Sequence, residues 1–395
     1  MKRILVLAVS SGLLASPVSA QSLFATRGLG IPSAPIDARS RALGGIGVGL
    51  LGLEMSLVNP AEVAGIGLRG VAATLQPATA RPDVGGRSGS ISGARFPMLT
   101  VVYPVRDRAV ISLGFGSYLD QSWGVELSGQ EIIGKDTIGV TDVIEANGAI
   151  ARLTLGVAFQ VTPSFAIGLG GGIHTGNLER RVSRSFSDST SGLVPFDTRL
   201  RWDYHGAFGT VGARFDIASV VRLAGSMTIS EKLTVDGRES TARDETADVP
   251  IRVTAGVSSA LSGTFMVAAG FEWNGANEGR VFQAADADAL QRGTWRYGGG
   301  IEYGGLRGGR RVFPIRMGAN SAQLPYYDTG EDPARERSLA LGMGFRLAEG
   351  AAGPLANADI TVERGNRKGL QSVSLPGGLS ESFWRISLSL SLFGN

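Results

Sequence analysis

The sequence predicts an all-β fold: a transmembrane outer-membrane β-barrel of about 14 antiparallel strands, with an N-terminal hatch (plug) in its lumen. Three observations predict it. From about residue 69 onward apolar residues alternate with small and polar ones at period two. The connections between these runs alternate between short turns and long polar loops. The chain also opens with an export signal and contains no cysteine.

Residues 1–20 read as a signal peptide. Lys2 and Arg3 form a charged start, Ile4 to Ala15 a short apolar run, and Val18-Ser19-Ala20 the small residues that favour cleavage after Ala20. The apolar run is too short to span a bilayer. Removing Lys2 and Arg3 takes the basic count from 38 to 36 against 35 acidic residues. That balance offers no basic footprint, so no nucleic acid partner is expected. Without cysteine, neither a disulfide framework nor a thiolate metal site can form. Glycine, at 58 of 395 residues, is about double its usual share and lacks a collagen period. No mature run of about 18 uninterrupted apolar residues argues for a spanning helix.

Residues 21–68 form the hatch. Their centre, Asp37 to Gly67, is small, Gly-rich and apolar, with neither the period of a membrane strand nor the caps of an ordinary helix. Gly44, Gly45, Gly47 and Gly49 do not make a phosphate-binding loop, because no strand precedes them and no Lys-Ser or Lys-Thr follows. Close approach of backbone to a wall, and tolerance of positive φ, explain them better. Asn59-Pro60 is a turn in which Asn bonds local backbone and pins the segment.

Residues 69–395 form the barrel. Expected strands cover 69–79, 89–104, 107–127, 139–161, 165–187, 196–216, 219–235, 248–260, 264–275, 293–304, 311–321, 335–348, 356–365 and 382–393. In the last, Trp384, Ile386, Leu388, Leu390 and Leu392 alternate with Arg385, Ser387, Ser389 and Ser391. A face so poor in bulk cannot fill a soluble core, but it suits a wet or plugged lumen. Short turns fall at 104–107, 161–164, 216–219 and 260–263, with polar loops at 232–248, 274–292, 320–335 and 366–381. Short turns belong on the periplasmic side and long loops outside. Tyr103, Tyr118, Trp123, Trp202, Tyr204, Trp273, Trp295, Tyr303, Phe383 and Trp384 are expected in interfacial girdles. Barrels of 16–18 strands hold an aqueous channel, so about 14 would leave a bore that only residues 21–68 can fill.

Arg222, Arg252, Arg296, Arg316, Arg346 and Arg385 all fall on the small, polar face. Lumenal placement follows, since an Arg facing lipid near the midplane costs roughly 2–4 kcal/mol. They would pair with Glu302, Asp203 or hatch acids such as Glu54 and Glu62, or meet an anionic headgroup, which Arg grips bidentately. His205 is placed on the lumenal face with Asp203 and Arg201, and His174 is read as a second lumenal hydrogen-bonding residue. Neither histidine has a nucleophile signature beside it. No His-rich metal pattern exists, so no catalytic residue, metal or cofactor is expected and the chain is not read as an enzyme.

Arg39-Ser40-Arg41-Ala42-Leu43-Gly44-Gly45-Ile46-Gly47-Val48-Gly49, followed by Asn59-Pro60-Ala61, resembles the N-terminal hatch of the FadL/TodX outer-membrane transporter family, and is especially similar to its PorV-like branch. Pro314 to Gly318, Glu363-Arg364-Gly365 and Ser382 to Leu390 resemble that family's closing strands. The resemblance implies uptake of hydrophobic small molecules, fatty acid-like, that bind within the barrel and leave past a shifted hatch or through a gap in the wall. The motif carries over Asn59, Pro60 and Ala61, but no ligand-pocket residues. The loop 188–195 looks too short for an elaborate capture helix.

The sequence therefore points to a plugged outer-membrane transporter. Its partners would be a hydrophobic ligand, outer-membrane lipid and, during insertion, the barrel-assembly machinery. Alternatives are a PorV-like component of a protein secretion apparatus and a general porin.

Overall fold

The computed structural model describes residues 22–26, 29–133, 136–187, 193–218, 220–239, 242–276, 293–304, 313–327, 333–350, 353–369 and 378–394. The expected signal peptide, much of the 274–292 loop and the centre of the 188–195 loop lie outside the described residues.

Fourteen strands make the wall. They are β1 (Arg69–Val84), β2 (Ile91–Arg106), β3 (Ala109–Asp120), β4 (Asp136–Thr162), β5 (Phe165–Phe186), β6 (Phe196–Ile217) and β7 (Val221–Ser230), then β8 (Arg252–Ala260), β9 (Phe265–Asn274), β10 (Thr294–Tyr303), β11 (Ile315–Tyr327), β12 (Pro333–Gly350), β13 (Gly353–Gly369) and β14 (Leu379–Gly394). Each pairs antiparallel with the next, and β14 returns to β1 through Leu388↔Leu75 and Leu392↔Val71, so the sheet closes. Closure leaves a barrel no full-length edge, which is what a lipid environment demands.

The alternation decides the faces. On β14, Trp384, Ile386, Leu388 and Leu390 point outward, while Arg385, Ser387 and Ser389 are buried inside. On β7, Leu223, Met227 and Ile229 are outward and Arg222, Ser226 and Thr228 inward. The outward set forms an apolar belt around the barrel, suited to lipid.

Beyond one end, several strands run past the ring and continue the same sheet. The strand Trp123–Ile133 pairs with the start of β4, and Leu233–Gly237 pairs with β6. There the faces invert. Leu178, Trp202, Tyr204, Leu233 and Val235 form a buried apolar core, while charges such as Arg181, Arg199 and Asp197 face out. A surface that meets water instead of lipid needs its apolar residues inside.

This inversion corrects two expectations. Tyr118, Trp202, Tyr204 and Phe383 are buried in the interior and do not belong to a girdle, whereas Tyr103, Trp295, Tyr303 and Trp384 do face outward. His205 is not lumenal: it lies on the outward face and pairs with Asp236, Nε2 to Oδ2 at 2.5 Å.

The expected strand 107–127 breaks. After Asp120 the chain turns, with Ser122 N–H donating to Asp120 Oδ1 at 3.0 Å and Gln121 N–H to the Gly148 carbonyl at 2.9 Å. This short-range Asx turn competes with strand extension.

Residues 22–68 run through the ring's interior. They contain two single-turn 3-10 helices (Leu23–Thr26 and Pro60–Val63), a two-residue strand (Ile31–Pro32) and a short helix, α1 (Ala38–Ala42). The sequence reading missed α1 and its cap: Asp37 Oδ1 accepts from Ser40 N–H at 2.7 Å.

Candidate functional site

Glycines set how closely the N-terminal segment meets the wall. Gly44, Gly45, Gly47 and Gly49 all have positive φ, between 71° and 96°. A Cβ on Gly44 would run into the backbone of Gly298 and Gly299 on β10, and one on Gly298 would strike the Gly44 carbonyl. A Cβ on Gly49 would likewise run into the Gly256 carbonyl on β8, and one on Gly256 would strike the carbonyl of Val48. Backbone therefore lies directly on backbone at two points, which only paired glycines permit.

The segment has little regular structure, so its backbone groups need partners from outside it. Wall side chains supply them. Arg222 Nη1 donates to the carbonyls of Leu50 (2.8 Å) and Gly52 (3.0 Å), and Arg214 Nη1 to those of Glu62 and Ala64, both at 2.9 Å. Ser389 Oγ accepts from Ala38 N–H at 2.7 Å and Thr361 Oγ1 donates to the Ala38 carbonyl at 2.6 Å. Asn59 Oδ1 caps the second 3-10 turn through Ala61 N–H at 2.9 Å, and its Nδ2 donates to the Ala213 carbonyl on β6 at 3.1 Å. Pro60, at the first position of that turn, and Ala61 are fully packed against β5 at Gly168.

Ion pairs complete the seal. Arg39 donates to Glu302 through Nε (2.9 Å) and Nη2 (3.1 Å) and also binds Glu54. Arg316 donates to the same Glu302 oxygen at 2.6 Å and pairs with Asp359. Arg385 donates to Glu363 at 2.9 Å, and Arg222 stands 3.7 Å from Glu62. Arg252 donates to Asn274 at 3.1 Å and lies 4.0 Å from Glu272. Arg41 is buried 3.9 Å from Glu363, with its Nε and Nη2 lacking hydrogen bonds.

Of the six arginines expected to be lumenal, Arg222, Arg252, Arg316 and Arg385 are buried inside, and Glu302 joins them. Arg296 and Arg346 are only half-buried. Arg346 bonds Glu349, three residues on, at 3.3 Å, near the short-turn end. Four further inward arginines, Arg95, Arg152, Arg214 and Arg367, were missed, although the same period-two reading finds them: Arg214 alternates with outward Val211 and Phe215.

The wall is incomplete at one place. β2 pairs with β3 only from Met98↔Gly116 toward the short-turn end, so residues 91–97 have β1 as a neighbour on one side alone. The vacated edge of β3 is taken by the N-terminal segment: Ile31↔Asp120 and Pro32↔Leu119 pair as strands, and Ser33 N–H donates to the Tyr118 carbonyl at 2.8 Å. Arg95 faces Asp120 across this slot at 3.9 Å. Nearby, Ser22 Oγ and Leu23 N–H hold Glu381, which also pairs with Arg367.

Cavities lie between segment and wall among the described residues. One of about 280 Å³ opens at the short-turn end among Arg39, Leu53, Glu54, Met55, Arg316 and Phe345. Two others, about 20 and 10 Å³, lie beside the slot and under Pro35 and Leu57. The lumenal face is thus polar and ion-paired, as the small, polar alternate positions of the strands require.

The BamG family model matches residues 1–242. The chain belongs to the BamG family. Among curated proteins none matches. Among solved structures, a FadL homologue of Pseudomonas aeruginosa superposes with a TM-score of 0.58 at 15% identity, covering 92% of this chain and 99% of its own. The CymD monoaromatic hydrocarbon channel gives 0.56 at 14%, covering 91% and 98%. The Pseudomonas putida toluene transporter TodX gives 0.54 at 13%, covering 91% and 98%. At such identities this likeness shows the fold alone: this BamG-family chain is a closed 14-stranded antiparallel β-barrel like these neighbours.

Proposed function

We propose that this barrel passes small hydrophobic molecules across the outer membrane sideways, through the slot between β2 and β3, with residues 22–68 as the hatch. The observation that carries the reading is the replacement of β2 by Ile31–Pro32 along the edge of β3. A two-residue strand is a weak seal beside a wall strand. The bore itself is filled by ion-paired backbone, which an apolar ligand cannot displace cheaply. Among solved neighbours, a hydrocarbon channel and a toluene transporter share the fold.

Because the chain has no cysteine, a single engineered disulfide tests this. Ile31→Cys with Asp120→Cys would tie the arm to β3 at a paired position. Uptake of a monoaromatic hydrocarbon or a long-chain fatty acid by cells should fall in the oxidised state and recover on reduction. Unchanged uptake by the fully oxidised protein would sink the slot as the route.

A second reading is favoured by the polar, occupied lumen: a sealed barrel that serves as a docking component of an envelope assembly, such as a secretion apparatus. The sheet beyond the ring would then be the working surface. On that reading hydrophobic uptake is the same with and without the protein, while removal of the sheet's outer hairpins abolishes function.

A further inference from the structure

We infer that the lumen holds a single halide ion, chloride in the cell, bound between Arg152 on β4 and Arg252 on β8 beneath the hatch. The two side chains line the same small cavity with Thr154, Phe208, Thr210 and Thr228, and Pro35, Leu57 and Val58 of the N-terminal segment close it. Both arginines are more than nine-tenths buried. Both guanidiniums stand over one ring, that of Tyr118, at 4.0 and 5.0 Å from its centroid. Their guanidinium carbons therefore lie within about 9 Å of each other, the sum of the two distances.

The charges there do not balance. The one carboxylate paired with either group among the described residues is Glu272, 4.0 Å from Arg252 Nε. Arg152 has no carboxylate partner in the described residues, and its Nε lacks any hydrogen bond. Two buried cations facing one acid are costly unless a further anion joins them.

The cavity supplies what such an anion needs. Besides Arg152 Nε, hydroxyl groups converge on it. Thr210 and Thr228 share one hydrogen bond at 2.9 Å, which leaves one O–H free to donate. Gly116 on β3, which also lines the cavity, leaves room there for Pro35 and Leu57 to approach. At about 10 Å³ it has room for one body of roughly water size, which favours a monatomic anion over sulfate, phosphate or a carboxylate. The ion would neutralise the arginine pair against the hatch's apolar underside, so its release and hatch release are coupled.

Crystals of the intact, detergent-extracted protein grown in sodium bromide in place of chloride test this. One anomalous peak is expected, bounded by Arg152, Arg252 and the Thr210–Thr228 pair. In solution, replacing gluconate by chloride at constant ionic strength should raise the thermal midpoint of the wild type saturably, and Arg152→Gln and Thr210→Val should lose that response. The bromide measurement and the wild-type titration stand even where a variant does not fold. Absence of the anomalous peak, density there without anomalous signal (a water), or a chloride response equal in wild type and variants would each overturn the assignment.

Discussion

Arg39 grips Glu302 with two hydrogen bonds, Nε to Oε2 at 2.9 Å and Nη2 to Oε1 at 3.1 Å, and so joins the N-terminal segment to the wall in fork geometry. Arg316 donates to the same carboxylate from the neighbouring strand, so one wall acid holds two cations. Removing one partner of a buried pair leaves an uncompensated charge, which costs about 3–5 kcal/mol. Glu302→Ala should therefore loosen the segment more than Arg39→Met does, because it takes a carboxylate from two guanidiniums at once and leaves Arg39 only Glu54 and Arg316 only Asp359. The double variant should cost less than the sum of the two. Limited proteolysis of residues 37–56 in each variant, read as a double-mutant cycle, checks both statements. Additive effects would refute the coupling.

Gly44 meets the wall as bare backbone, with φ of 96° and Gly299 against the place where a Cβ would stand. Gly44→Ala adds left-handed strain of about 1–3 kcal/mol to the steric contact, neither of which the buried wall can relieve by moving a side chain. Gly67→Ala is the control, since nothing lies within 4 Å of its Cβ position. The first should lower the thermal midpoint and raise hydrogen exchange across 42–50; the second should change neither.

Asn59 acts twice, as cap acceptor for Ala61 and as donor to Ala213 on β6. Asn59→Ala should lose both, at about 1–2 kcal/mol for the cap and about 1 kcal/mol for the buried bond. Asn59→Asp keeps the acceptor and loses the donor, so it should separate the two contributions. Hydrogen exchange at Ala61 reports the cap, and crosslinking of the turn to β6 reports the anchor. Equal behaviour of Ala and Asp variants would mean the cap contributes nothing.

Much of this was legible in the sequence because lipid and lumen impose opposite demands on alternate residues. All fourteen strands appear in the expected order, and Arg222, Arg252, Arg316 and Arg385 fall inside as period two requires. His205 failed for the same physical reason. Above the ring the outward face meets water, so the polar residues Arg201, Asp203 and His205 turn out, while Trp202 and Tyr204 turn in. A rule learned on the lipid-facing part assigns them backwards. The slot was not legible either, because it depends on which strand lies beside β3, and pairing between distant segments leaves no trace in local alternation. The paired glycines were half legible: Gly44 and Gly49 announce close approach, but nothing in the chain names Gly299 and Gly256 as what they approach.

Deleting residues 37–67 should leave the ring intact and open it. The wall closes on itself through β14 and β1, so its backbone bonding does not depend on the segment. What the wall loses is partners for buried groups: Arg222, Arg214 and Thr361 each donate to carbonyls in the deleted stretch, and Glu302 loses Arg39. Water can replace all of these once the bore is wet, which makes the deletion tolerable in a way that single charge removals under a seated segment are not. The full chain in a planar bilayer should give little steady current. The deleted protein should give large steps, while its gel migration still shifts on heating as a folded barrel does. A closed deletion variant would mean that something other than this segment blocks the bore, and large steady conductance from the intact chain would favour the general porin.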